Sequence, residues 1–157
     1  MDIVQNRRVT RLLKAACALV LTVSAAAGFA ANADTPASLA GATLVTAEQA
    51  KKLMDAGAPM IDARVANEYV EQHIKGAKNV PYKEKSAKDV TFDPKEDSFD
   101  LAKLPGDKNA AVIFYCNGAE CWKSFKASKV AIDAGYKKVN WLRGGIPEWK
   151  AKGYPVE

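Results

Sequence analysis

A chain of 157 residues, 48 % hydrophobic and 26 % charged with a formal net charge of +5, is long enough for one domain with a real core. Of three cysteines only Cys116 and Cys121 lie beyond residue 33, and with the single histidine they are too few obvious ligands for a closed structural zinc site. Four basic residues and one acidic residue fall within the first 33, so the remaining 124 carry only +2, which excludes a nucleic-acid footprint.

Arg7, Arg8, Arg11 and Lys14 form a basic start, residues 15–30 are apolar and Ala-rich, and Ala31-Asn32-Ala33 has the small-x-small pattern of a cleavage site. These features predict an export signal over residues 1–33, removed after Ala33, and a periplasmic or secreted protein. The apolar run is short of the ~20 residues a membrane span needs, so no membrane association is expected after cleavage. Lys14 stands three residues before Cys17, where a lipoprotein signal carries leucine, and no lipid anchor is expected either.

Residues 34–42 are small and polar and predict a flexible leader, with the domain proper at 43–157. Thr46 and Gln49 have capping-box spacing, and Ala47, Ala50, Leu53 and Met54 recur with a helical period that Gly57 ends. A short strand at 59–63, a helical turn at 67–72 and a strand at 78–80 follow. Residues 82–109, rich in lysine and aspartate and containing Pro94, Pro105 and Gly106, predict a surface loop with Phe99, Leu101 and Leu104 turned into the core. Residues 110–115 are continuously apolar, as a central strand covered on both faces is. A helix is predicted at 122–134 with Phe125, Val130, Ala131 and Ala134 inward and Gly135 as its cap. A strand at 139–142 and a helix at 146–152, with Pro147 in its first turn, complete the chain. Strands alternating with helices imply an α/β domain: a central parallel sheet flanked by helices on both faces.

Cys116 ends the central strand and is followed by a short loop and a helix. Loop N–H groups and the positive end of that helix can both stabilise a thiolate there and lower its pKa from about 8.5, although a small buried hydrophobe fits the same local pattern. Cys121 lies four intervening residues away, so a structural disulfide, a redox-active pair and a free thiol all remain open.

The flanking residues carry a resemblance. Asp62-x-Arg64, Glu68-Tyr69, His73-Ile74-x-Gly76-Ala77, Asn79-x-Pro81 and Gly144-Gly145-x-x-x-Trp149 surround the cysteine at spacings that resemble the signature segments of the rhodanese family. The resemblance covers most of the chain from about Thr43 and implies a rhodanese-like three-layer domain. It also implies that Cys116 accepts sulfane sulfur as a persulfide and passes it to a thiol or other nucleophile, with no cofactor and no metal. The implied partners are a small sulfur-containing donor and a thiol or protein acceptor; thiosulfate as donor is left open. The anion-binding loop would be Asn117, Gly118, Ala119, Glu120, Cys121, Trp122 and Lys123. Asp62 and Arg64 would brace the rim or line the pocket, and Cys121 would resolve the persulfide or protect the thiolate.

The chain departs from the family pattern in one place: its loop, from Cys116 to Ser124, is two residues longer, and the basic position is Lys123 rather than arginine. A lysine offers a point charge and no two-pronged contact to an oxyanion, which also argues against phosphatase or arsenate reductase chemistry. His73 falls in a structural segment, which argues against a cysteine–histidine hydrolase. Two alternatives to the sulfurtransferase remain: a thiol–disulfide redox partner using Cys116 and Cys121, and a non-catalytic binding module.

Overall fold

The computed structural model describes residues 33–157. The predicted export signal lies outside them except for Ala33. Ten elements follow in chain order: β1 (Ala42–Leu44), α1 (Ala47–Asp55), β2 (Met60–Asp62), α2 (Ala66–Glu71), β3 (Lys78–Asn79), a 3-10 turn (Leu101–Lys103), β4 (Ala111–Tyr115), α3 (Trp122–Asp133), β5 (Lys138–Leu142) and α4 (Gly145–Ala151). The five strands form one sheet in the order β1-β5-β4-β2-β3, every pair parallel. The predicted parallel α/β architecture is therefore observed, with the apolar run at its centre.

Side chains on a strand alternate between faces, and β4 distributes its own accordingly. Val112 and Phe114 join Phe125, Ala127 and Ala131 of α3 in one buried cluster, while Ile113 and Tyr115 join Ala47 and Ala50 of α1 and Ile146 and Trp149 of α4 in another. These two clusters, one on each face of the sheet, make the three layers. Helix α1 begins with the expected capping box, the Thr46 hydroxyl accepting from Gln49 N–H and the Gln49 side chain from Thr46 N–H.

Three readings of the sequence need correction. Residue 42 starts an edge strand, since Ala42, Thr43 and Leu44 pair with Val139, Asn140 and Trp141. Thr35 in the supposed flexible leader is buried and hydrogen-bonded. Residues 82–104 are more than a surface loop: besides Leu104, Phe99 and Leu101, which meet the core as expected, Tyr82, Ser86 and Phe92 are buried. This segment lies over the outer face of α3 and buries Lys126 completely. The Lys126 ammonium donates to the Ser86 carbonyl and hydroxyl (3.1 and 2.8 Å), pairs with Glu84 and Asp97 (3.2 and 3.6 Å) and sits over the Phe92 ring.

Candidate functional site

In parallel α/β sheets the loops beyond the carboxyl ends of the strands form the binding rim. Cys116 follows directly on Tyr115, the last residue of β4, and Asp62, the last of β2, pairs in register with Tyr115. Asp62 is fully buried and is held by charge-assisted bonds. Arg64 Nη2 donates to its Oδ2 at 2.6 Å, Arg64 Nε reaches both carboxylate oxygens at 3.0 and 3.1 Å, and the Tyr115 hydroxyl donates to Oδ2. Burial works against the Arg64 charge, but Asp62 beside it overrides that and raises the guanidinium pKa. Burial, followed by the Asp62 charge and hydrogen bond, pushes the Tyr115 hydroxyl far above its ordinary value, so it remains a neutral donor. Asp62 and Arg64 thus form a buried ion pair beside the end of the central strand.

Cys116 and Cys121 are joined by a disulfide, with their Cα atoms 6.2 Å apart. Cys116 is 1 % exposed, whereas Cys121, at the N-cap of α3, is partly exposed. Among the described residues the N–H groups of Asn117, Gly118, Ala119 and Glu120 donate to no protein acceptor, and no side chain caps α3. Such a run of unpaired N–H groups at a helix start favours an anion. The loop is supported from below by α4: Ile146 N–H donates to the Cys116 carbonyl at 3.0 Å. Gly145, at φ +61°, lies so close that a Cβ there would stand 2.2 Å from the Cys116 oxygen and 2.8 Å from the Gly118 nitrogen. The second glycine of Gly144-Gly145 is therefore what lets α4 approach the loop.

Asn117 lines a cleft of about 470 Å³ together with Arg64, Glu68, Glu71, Gln72, Ile146, Pro147 and Lys150. There it donates to Glu68 Oε1 and accepts from Arg64 Nη1 at 3.4 Å. Arg64 lines this cleft but Lys123 does not; Lys123 is only partly exposed and lies on the other side of Cys121 in the chain. Trp122 opens α3. It is buried edge-on against Phe125, with its indole N–H donating to the Ala33 carbonyl at 2.9 Å. His73 is committed elsewhere, stacked on Tyr69 and 3.4 Å from Glu157. Among the described residues, no group of three or more His, Cys, Asp or Glu is placed to hold a metal ion.

The sequence reading missed Thr35 and Arg143, which meet at the loop: Thr35 N–H and Oγ1 donate to the Ala119 carbonyl, and Arg143 Nε donates to Thr35 Oγ1. Thr35 and Ala119 are 84 residues apart in sequence, and no local pattern marks such a contact.

Fold and site together define an α/β domain that presents a cysteine loop beyond its central strand. Within that class the chain belongs to the rhodanese-like family, whose rhodanese-like domain matches residues 46–152. It is similar to thiosulfate sulfurtransferase PspE of Escherichia coli, 33 % identical over 88 residues that span 56 % of this chain and 70 % of that protein. It is also similar to an HTH-type transcriptional regulator of Mycobacterium tuberculosis, 35 % identical over 98 residues, 62 % of this chain but only 37 % of the regulator's length. Among solved structures, a thiosulfate sulfurtransferase from Pseudomonas aeruginosa superposes with a TM-score of 0.54 at 26 % identity, over 74 % of this chain and 20 % of that one. The rhodanese-like domain of the Anabaena Alr3790 protein gives 0.53 at 25 % identity, over 76 % and 80 %.

Proposed function

We propose that this protein is a sulfurtransferase that carries sulfane sulfur as a persulfide on Cys116 once the Cys116–Cys121 bridge has been reduced. The observation that carries the proposal is the position of Cys116, directly beyond the central strand and followed by Asn117 to Glu120, whose N–H groups have no protein acceptor among the described residues. The Cys116 thiolate attacks the sulfane sulfur of a thiosulfonate-type donor; the donor's S–S bond breaks, and with thiosulfate the leaving group is sulfite. The persulfide anion rests against the loop N–H groups, which favour anionic sulfur before and after transfer. An acceptor thiolate then takes the outer sulfur and restores the Cys116 thiolate. Alternatively the Cys121 thiolate attacks the inner sulfur, releasing hydrosulfide and closing the bridge. That second outcome is the chemistry of a thiol–disulfide redox partner, and the observed bridge favours keeping it beside the first.

Export to the periplasm or the exterior belongs to this reading. It is supported by the basic start, the apolar run and the small-x-small site, and by the oxidising compartments in which disulfides persist.

Intact-mass measurement of protein recovered from expressing cells tests both parts. The chain is expected to begin at Asp34 and, after reduction and incubation with thiosulfate, to gain one sulfur that a thiol removes; Cys121→Ser also gains it and Cys116→Ser does not. Sulfur loading on Cys116→Ser overturns the assignment.

A further inference from the structure

Residues 33–35 lie across the loop that holds the two cysteines. Thr35 is 2 % exposed, and its polar atoms all have partners. Its N–H and Oγ1 both donate to the Ala119 carbonyl, at 2.8 and 2.6 Å, while Oγ1 accepts from Arg143 Nε at 3.1 Å and its own carbonyl accepts from Arg143 Nη2 at 2.6 Å. The Asp34 carboxylate stands 3.7 Å from the same Nη2. Arg143 follows Leu142, which pairs with Tyr115 immediately before Cys116, so the guanidinium springs from the strand beside the cysteine's own. Ala119 lies between the two cysteines. The Thr35 hydroxyl, used as donor and acceptor at once, therefore links the end of β5 to the middle of the loop that the disulfide closes.

We infer that Thr35 and Arg143 are positioning residues that hold this loop in the shape in which Cys116 and Cys121 bridge, and so set how readily a thiol reductant opens the bridge. The inference rests on reading the two cysteines as a working pair. Opening takes two thiolates from a dithiol. Access directs the first to the partly exposed Cys121 sulfur rather than to the shielded Cys116. The S–S bond breaks, Cys116 leaves with the electron pair as a thiolate, and a mixed disulfide remains on Cys121. The second thiolate attacks the reductant's own sulfur in that mixed disulfide, freeing Cys121 as a thiolate and leaving the reductant as its disulfide. The equilibrium depends on the effective concentration of one protein thiol at the other, which a pinned loop raises and a free loop lowers.

The test is the reduction potential of the pair, from equilibration with dithiothreitol and glutathione couples followed by alkylation and mass counting of free thiols. Thr35→Val keeps the shape of the side chain but removes the hydroxyl; it is expected to weaken the bridge about tenfold, moving the potential about 30 mV toward the positive. Arg143→Ala should move it the same way, and Thr35→Ser should restore the wild-type value. If the strap merely adds stability, its loss in these variants lowers the melting temperature of the oxidised and reduced forms alike and leaves the potential unmoved, which overturns the inference. Wild-type protein with two free thiols at every oxidising ratio overturns it as well. Failure of Cys116 to load sulfur defeats the sulfurtransferase reading alone, because the potential is measured without any sulfur donor.

Discussion

The second glycine of Gly144-Gly145 does for this site what no other residue type does. At φ +61° and against the Cys116 carbonyl, Gly145 has neither the backbone region nor the space for a Cβ. A methyl group there meets backbone atoms, which have no rotamer to escape into, so α4 has to retreat from the loop and give up the bond from Ile146 N–H to the Cys116 oxygen. Gly145→Ala is therefore expected to destabilise the protein by about 1–3 kcal/mol, the usual cost of forcing a group into a packed position, and to lower sulfur loading by more than global unfolding explains. Urea denaturation and loading on the same samples separate the two effects; loading that falls only in proportion to the unfolded fraction would count against this role. Gly144 is crowded differently: the atoms nearest its missing Cβ belong to the Glu148 side chain, its Cβ at 2.9 Å among them, rather than to the backbone of the loop.

At the scale of elements, α3 and the segment over it stand or fall together through Asp97. Burial pushes the Asp97 carboxyl upward, but bonds from the Ser86 hydroxyl and N–H, the Lys85 N–H and the Tyr82 hydroxyl outweigh it and hold the pKa well below the ordinary aspartate range. A depressed carboxylate pKa contributes stability that is fully present above the unfolded value of about 3.9 and is lost as pH falls through the folded value. Wild-type stability should accordingly decline steeply below about pH 4. Asp97→Asn should be less stable at neutral pH and show a shallower decline, both read from urea midpoints across pH; parallel profiles would contradict this. The same region marks where local reading of the sequence fails. The apolar run of β4, the capping box of α1 and the cysteine at the strand end are local patterns and could be read directly. The burial of Lys126 could not, because it depends on residues 82–104 folding back over a helix face that, on its own, is polar enough to meet water. Thr35 escaped for a similar reason: a short polar segment gives no local sign that its hydroxyl meets a carbonyl far along the chain.

Across the whole molecule, both ends of the described chain are fastened. Glu157 exchanges backbone bonds with His73, its N–H donating at 2.9 Å and its carbonyl accepting at 2.8 Å, and its side chain accepts from Gly76 N–H. At the other end Thr35 is tied to the cysteine loop, and Trp122 to Ala33. Of the three tryptophans, Trp141 donates its indole N–H to the Ser124 hydroxyl and Trp149 to the Pro155 carbonyl, partners that remain wherever the leader is cut. Trp122 alone donates to Ala33, and the proposed cleavage after that residue would remove the acceptor. If the chain is cut there, as proposed, its own emission becomes a gauge of the cut. A chain beginning at Asp34 should differ in tryptophan fluorescence from one retaining residues 31–33, and the difference should vanish in Trp122→Phe; identical spectra for the two chains would mean that the indole does not sense the cut. An indole that directly follows Cys121 would then report, without any added label, whether the proposed cut has been made.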